Sequence, residues 1–224
     1  MPRCEDVLVE DRLRELADRL RGPARLKADL LTEARHGLLD AVEAYRADGL
    51  TAAEAERRAV AEFGSPAQLV PGWQAELAVG ALRGLSLRVL TMASVLVAAG
   101  DLTWRGSSWS VNGPHPPARY QLLSSSVNVI WLLALALAAA GLLLVPMAAR
   151  SARPELAALV RLVGAGLTGS LLLGVLSGAG LFGWSVLLWD AAVTWPPMII
   201  GAVLASAGYL WVAGAARNWL LAVR

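Results

Sequence analysis

The sequence predicts an all-α protein in two parts, a small cytoplasmic helical bundle followed by a four-helix transmembrane bundle. Three observations predict it. The 224 residues are 56% hydrophobic and only 17% charged, against roughly 45–50% and about 25% in ordinary globular chains. Charge is unevenly divided. Residues 1–80 carry 11 Lys and Arg against 15 Asp and Glu, a net −4, whereas residues 81–224 carry 9 against 3, a net +6. Long uncharged runs separate Arg119 from Arg150, Arg161 from Asp190, and Asp190 from Arg217. Each exceeds the ~20 residues needed to cross a hydrocarbon core about 30 Å thick. So apolar a chain does not read as disordered. Its single cysteine, Cys4, allows neither an intrachain disulfide nor a zinc-binding cysteine pattern. One lysine, Lys27, stands against 19 arginines, which fits the codon bias of a GC-rich bacterial genome.

The head elements follow from helix periodicity. Val9, Leu13, Leu16 and Leu20 recur on one face of a first helix over residues 5–20, which Arg21-Gly22-Pro23 ends. A second helix over 23–48 has the stripe Leu26, Leu30, Ala34, Leu38, Val42 and Tyr45, and Gly49 terminates it. Thr51 with Glu54 forms a capping box that opens a third helix to Phe63, with Gly64 beyond its end. Ser65, Pro66 and Gln68 repeat the start signal, and Pro71-Gly72 predicts a kink or restart before the chain reaches the membrane through Trp73 and Leu77. Glu10–Arg14, Arg14–Asp18, Glu15–Arg19, Arg25–Asp29 and Glu54–Arg58 are spaced for ion pairs one helical turn apart.

In the membrane half, spans are predicted at about 84–102, 126–148, 158–181 and 197–216. The first is the weakest, because the uncharged run between Arg88 and Asp101 is too short to cross by itself. It spans if Arg88 snorkels to one interface and Asp101 sits at the other. The alternative lays this helix on the membrane surface and leaves three spans. With both termini inside, Arg83, Arg88, Arg150, Arg153, Arg161, Arg217 and Arg224 face the cytoplasm, and only Arg105 and Arg119 lie outside, as the positive-inside rule requires. Trp104, Trp109, Trp184, Trp189 and Trp195 at one level, and Trp219 at the other, read as interfacial anchors. No apolar run opens the chain, so the first span is expected to act as the insertion signal. The localisation read from this is a bacterial cell membrane, multi-pass.

Candidate functional residues are few. Gly166, Ser170, Gly174 and Gly178 stack small side chains on one face of the third span, and Gly201 and Ala205 repeat the spacing in the fourth. Such a ridge lets helices approach closely in lipid. It serves either packing within one bundle or a homo-oligomeric contact. Thr91, Ser94, Asn128, Thr168 and Ser177 are uncharged and able to bond their own helix, and no acidic residue falls near a midplane, which argues against an ion-coupled transporter. In the head, Glu33, His36, Asp40 and Glu43 share one helical face. Glu-x-x-His is a metal-ligand spacing in di-iron bundles, but this face lies opposite the Leu38/Val42 stripe, so a solvated or partner-docking face is expected and no metal. His115 reads as a loop residue. No serine has a paired His and Asp, and no glycine-rich phosphate loop follows a strand, so no catalytic residue, no cofactor and no enzyme are expected. A head of net charge −4 lacks the basic footprint of a nucleic-acid binder.

The patches Gly22-Pro-Ala-Arg25, Asp29-Leu-Leu, Glu33-Ala-Arg35, Gly37-Leu-Leu-Asp40-Ala, Ala44-Tyr45, Gly49-Leu50-Thr51, Glu54-Ala55-Glu56, Ala59-Val60 and Glu62-Phe63-Gly64-Ser65-Pro66 together resemble the permease prefix domain, a HAAS-type helical head of actinobacterial membrane proteins. The resemblance covers about residues 8–80 and not the spans. It implies a cytoplasmic head fused to varied membrane modules, beside PadR-like transcription regulators or ahead of an ABC-type permease, with no catalytic residues to carry over. This chain is too short for a permease-type transport domain. The expectation is therefore a non-enzymatic membrane regulator or adaptor. Its partners are the lipid bilayer and a cytosolic protein, such as a transcription regulator. The alternative is a small transporter component or oligomeric channel subunit.

The arginine distribution generates a topology prediction. A fluorescent protein fused after Arg224 is expected to fluoresce, and alkaline phosphatase fused there to stay inactive; the opposite pair of results reverses the orientation.

Overall fold

The computed structural model describes residues 7–104, 117–150, 154–188 and 193–223. Among them the chain forms seven helices and no strand: α1 (Val7–Arg19), α2 (Ala24–Ala47), α3 (Ala52–Phe63), α4 (Pro66–Trp104), α5 (Ala118–Arg150), α6 (Pro154–Leu188) and α7 (Pro196–Ala222). The expected all-α class is what the structure has. The residues divide into two compact units, Met1–Ala81 with Asn218–Arg224, and Leu82–Arg217.

In the head unit α1, α2 and α3 pack against one another. Val9 and Leu13 of α1, Ala34, Leu38 and Val42 of α2, and Ala55, Ala59 and Val60 of α3 form the core, with Leu31, Tyr45, Phe63 and Trp73 against its edge. The positions from α1 and α2 are among those that helical spacing selects; Leu26 and Leu30 of the α2 stripe are only half-buried. The whole α1 stripe, Val9, Leu13, Leu16 and Leu20, is buried.

Local chemistry sets the helix ends. The Glu54 amide donates to Thr51 Oγ1 at 3.4 Å, and the Thr51 amide to Glu54 Oε2 at 3.2 Å, closing the capping box. Gly49 and Gly64 follow α2 and α3 with φ of +93° and +101°, a region only glycine enters freely. Before α4 the Ser65 amide donates to Gln68 Oε1 at 3.0 Å. The Thr51 hydroxyl, then its amide, holds the Glu54 carboxyl below its ordinary range. The Tyr45 hydroxyl, then Arg58, does the same for Glu62. Both carboxylates therefore stabilise the head above the ordinary carboxylate range, and that contribution fades as pH falls through their lowered values.

The start of α1 is held from a distance. Glu56 on α3 is only 6% exposed, and its Oε1 accepts the Leu8 and Val9 amides at 2.7 and 3.1 Å. A carboxylate from another helix thus caps the amides that a helix start leaves without partners, at the positive end of the helix dipole.

The structure departs from the sequence-based expectations at three places. α4 runs unbroken through Pro71 and on to Trp104, so a single helix serves both the head and the first span. The bond Pro71 cannot donate would go to the carbonyl of Ala67, an exposed residue that water can serve. Among the ion pairs, Arg19–Glu15 forms at 2.8 Å as expected, but Arg14 takes Asp11 and Arg58 takes Glu62. Glu54 is engaged in its cap, and Glu10 reaches across to Arg35 of α2 at 2.6 Å. Finally, Trp219 is 3% exposed and belongs to the head unit; protein surrounds its ring where a headgroup anchor would stand in lipid.

In the second unit α5 and α6 form the most extensive pair. The pairing is antiparallel, since contacts move down α5 as they move up α6: Gly141 lies beside Val163, Leu137 beside Gly166, Trp131 beside Gly174, and Tyr120 bonds Ser185. α4 meets α5 where Ser86, fully buried, faces Gly141; a Cβ on that glycine would collide with the Ser86 hydroxyl. α4 and α7 also run antiparallel, with Met92 against Gly208 and Arg88 against Trp211. Outward side chains are large and apolar. Among the described residues, only Val7, Leu8 and Leu220 of the exposed large hydrophobics belong to the head unit.

The Glu56 cap generates a prediction for the full-length chain. Glu56→Ala leaves two buried or half-buried amides without an acceptor, and should cost the α1 start about 1–3 kcal/mol. Hydrogen exchange at Leu8 and Val9 is the measurement. Glu56→Gln keeps an acceptor oxygen and should cost less.

Candidate functional site

The face singled out on α2 is outward. Glu33, His36, Asp40 and Glu43 are all exposed, whereas Ala34, Leu38 and Val42 on the other side of the helix are in the core. The segregation follows from the helical repeat of about 3.6 residues per turn. Di-iron bundles need inward-facing ligands from several helices, and here one helix points its carboxylates at solvent. Among the described residues no group of three or more His, Cys, Asp or Glu is placed to hold a metal ion. Cys4, His115, Arg105, Trp109, Trp189 and Asp190 lie outside the described residues, as do the side chains of Asp101 and Trp104.

The small-residue ridge of α6 splits. A Cβ on Gly166 would stand 3.1 Å from Leu137 of α5, and one on Gly174 would stand 2.8 Å from the Tyr209 hydroxyl of α7 and 3.7 Å from Trp131. Ser170 between them is buried and bonds the Leu167 carbonyl at 2.8 Å. These three therefore pack inside the unit, beside the tilted Trp131–Tyr209 ring pair at 5.8 Å. Nothing lies within 4 Å of a Cβ on Gly178.

Seven hydroxyls of the spans are spent on their own helices, while the buried Ser86 hydroxyl has no partner among the described residues. Thr91, Ser125, Ser126, Thr168, Ser177, Ser185 and Ser206 each donate to the carbonyl one turn earlier, at 2.6–3.0 Å. A hydroxyl so engaged has its hydrogen committed, which makes it a poor link in a chain of waters or ions.

Besides Glu56, the sequence did not point to Gln74 or to the partner that Arg88, expected only to snorkel, finds in Trp211. Gln74 of α4 uses its whole amide within the head unit. Its Oε1 accepts the Arg21 amide at 3.0 Å, and its Nε2 donates to the Arg21 and Ala222 carbonyls, both at 2.6 Å. It joins the α1–α2 turn to the last turn of α7, where a Cβ on Gly22 would lie 3.5 Å from both Ala222 and Leu77. Arg88 donates to the Trp211 carbonyl at 3.1 Å with its guanidinium 5.4 Å from the indole centre. Neither partner is signalled locally; Gln74 reads as one polar residue in a helix, and its partners are 53 and 148 positions away.

Four helices, Pro66–Ala99, Ala118–Ala148, Glu155–Leu188 and Pro196–Ala222, are long and apolar enough to cross a bilayer. Together with their outward leucines they define a multi-pass membrane protein carrying a helical head. No family model, curated protein or solved structure matches the chain.

Gln74→Ala removes one acceptor and two donors. At about 1 kcal/mol per bond, hydrogen exchange at Arg21 and in the last turn of α7 should speed by roughly fivefold or more in the full chain. Gln74→Glu, which sets an acceptor against two carbonyls, should be worse than Ala.

Proposed function

We propose that this protein is a non-enzymatic membrane regulator or adaptor, with its head in the cytoplasm, docking a cytosolic protein through the α2 face of Glu33, His36, Asp40 and Glu43. The observation that carries this reading is the contrast between the two faces of α2. One is built into the core of the head, and the other presents four exposed titratable residues that make no hydrogen bond or ion pair among the described residues. An anionic helical face of this kind fits a basic protein surface. The seven span hydroxyls committed to their own helices favour anchoring over conduction by one chain. The resemblance of the head to permease prefix domains, which implies neighbouring PadR-like regulators, supports a transcription regulator as the partner class. The second reading, a transporter component or oligomeric channel subunit, draws on the open Gly178 end of the ridge.

Triple charge reversal, Glu33→Lys with Asp40→Lys and Glu43→Lys, tests the docking face in the full-length protein. Crosslinking of a PadR-like regulator to the wild type, and its loss by about tenfold or more in the variant at equal membrane insertion, is the expected result. No crosslink with wild type overturns the proposal, and solute flux from proteoliposomes would move the assignment to the second reading.

A further inference from the structure

The geometry points to a site for the phosphate of an anionic phospholipid at Arg88, on the outward seam between α4 and α7. Depth is the first consideration. Arg88 is separated from the end of α4 at Trp104, and Trp211 from the start of α7 at Pro196, by more than four helical turns each. At a rise of about 1.5 Å per residue each stands roughly 22–24 Å from that far helix end. Both therefore fall inside, or at the edge of, a hydrocarbon core about 30 Å thick. Their surroundings are lipid-facing: Leu87 is 44%, Trp211 47% and Leu210 78% exposed.

A guanidinium at this level needs partners for its donors, because uncompensated charge in hydrocarbon is costly. The protein supplies part of the answer. Nη1 bonds the Trp211 carbonyl, and the indole face lies against the cation. Gly214, about one turn further along α7, lies beside the guanidinium; a Cβ on it would meet Nη1 at 3.9 Å, an ordinary contact. No carboxylate completes the set. Among the described residues the ion pairs all lie between Glu10 and Glu62, and Glu155 of α6 is not one of Arg88's partners. The rest of the planar fork has no protein acceptor among the described residues, and a fork matches two oxygens of a phosphate.

The anion comes from the bilayer, because the seam opens to lipid. Arg83 and Arg217, both exposed, lie a turn or two from Arg88 and Trp211, in the direction that leads out of the core along these antiparallel helices. They extend the cationic edge towards the headgroups. Arg88 is pinned before the lipid arrives, so little side-chain freedom is lost on binding. The chemistry recognised is a phosphodiester monoanion whose headgroup has no compensating cation, as in phosphatidylglycerol.

The test uses the full-length protein in nanodiscs of phosphatidylcholine with phosphatidylglycerol, and native mass spectrometry of the lipids it retains. Wild type should retain phosphatidylglycerol in preference to phosphatidylcholine. Arg88→Gln should lower that preference by about fivefold to tenfold, as expected for one arginine at an anionic surface, and Arg83→Gln by less. Inorganic phosphate at millimolar concentration should not displace the lipid. Equal retention of both lipids by wild type overturns the assignment without reference to any variant. Unchanged preference in Arg88→Gln overturns the role of Arg88, and displacement by inorganic phosphate overturns the lipid as its ligand.

Discussion

In the four long helices, small side chains are buried alongside large ones such as Leu82, Leu85 and Leu167, while many leucines face outward. Ala134, Ala138, Gly141, Gly174, Ser86 and Ser170 lie inside, and Leu122, Leu143, Leu162, Leu176 and Leu210 lie outside. The constraint behind this is the solvent. Lipid tails are as apolar as leucine, so burying leucine gains little there, and helices hold together by close backbone approach and satisfied polar groups. The contacts of Ser86 with Gly141, of Leu137 with Gly166 and of Met92 with Gly208 are the consequences. So is the return of seven span hydroxyls, from Thr91 to Ser206, to their own backbone, since hydrocarbon provides no other acceptor.

The head also encloses large apolar side chains, Leu16, Leu38 and Val9 among them, but its outward face is charged. Its helices are short, and water competes for their ends. Two side chains answer that competition from elsewhere in the fold: Glu56 caps α1, and Gln74 closes the α1–α2 turn on the last turn of α7. Because Gln74 sits on the helix that continues to Trp104, and Ala222 ends the helix that begins at Pro196, the head unit contains the ends of two spans. The proposed role of the α2 face and the proposed lipid contact of Arg88 concern different surfaces and stand or fall separately.

Much of the fold was legible. Helix spacing picked out Val9, Leu13, Leu16 and Leu20, and also Ala34, Leu38 and Val42, because a stripe is a local pattern. Thr51 with Glu54 and the glycines at 49 and 64 placed helix ends, because capping is settled within a single turn. The candidate site was legible only as a face: the same periodicity that buries Leu38 exposes His36 and Asp40. Pro71 predicted a kink or restart, and the helix does not restart there, since the carbonyl left without a donor belongs to an exposed residue.

What the sequence determined by itself was therefore the partition into a charged head and apolar spans, the helical class and the outward polarity of α2. These depend on composition and period, which any short window contains. The tertiary structure alone decided that Glu56 caps α1, that Gln74 meets Ala222, that Glu10 pairs with Arg35 rather than Arg14, that Trp219 is enclosed, and that Arg88 lies on Trp211. Each of these joins residues far apart in the chain, and which polar group answers which depends on distances that only the packed helices set.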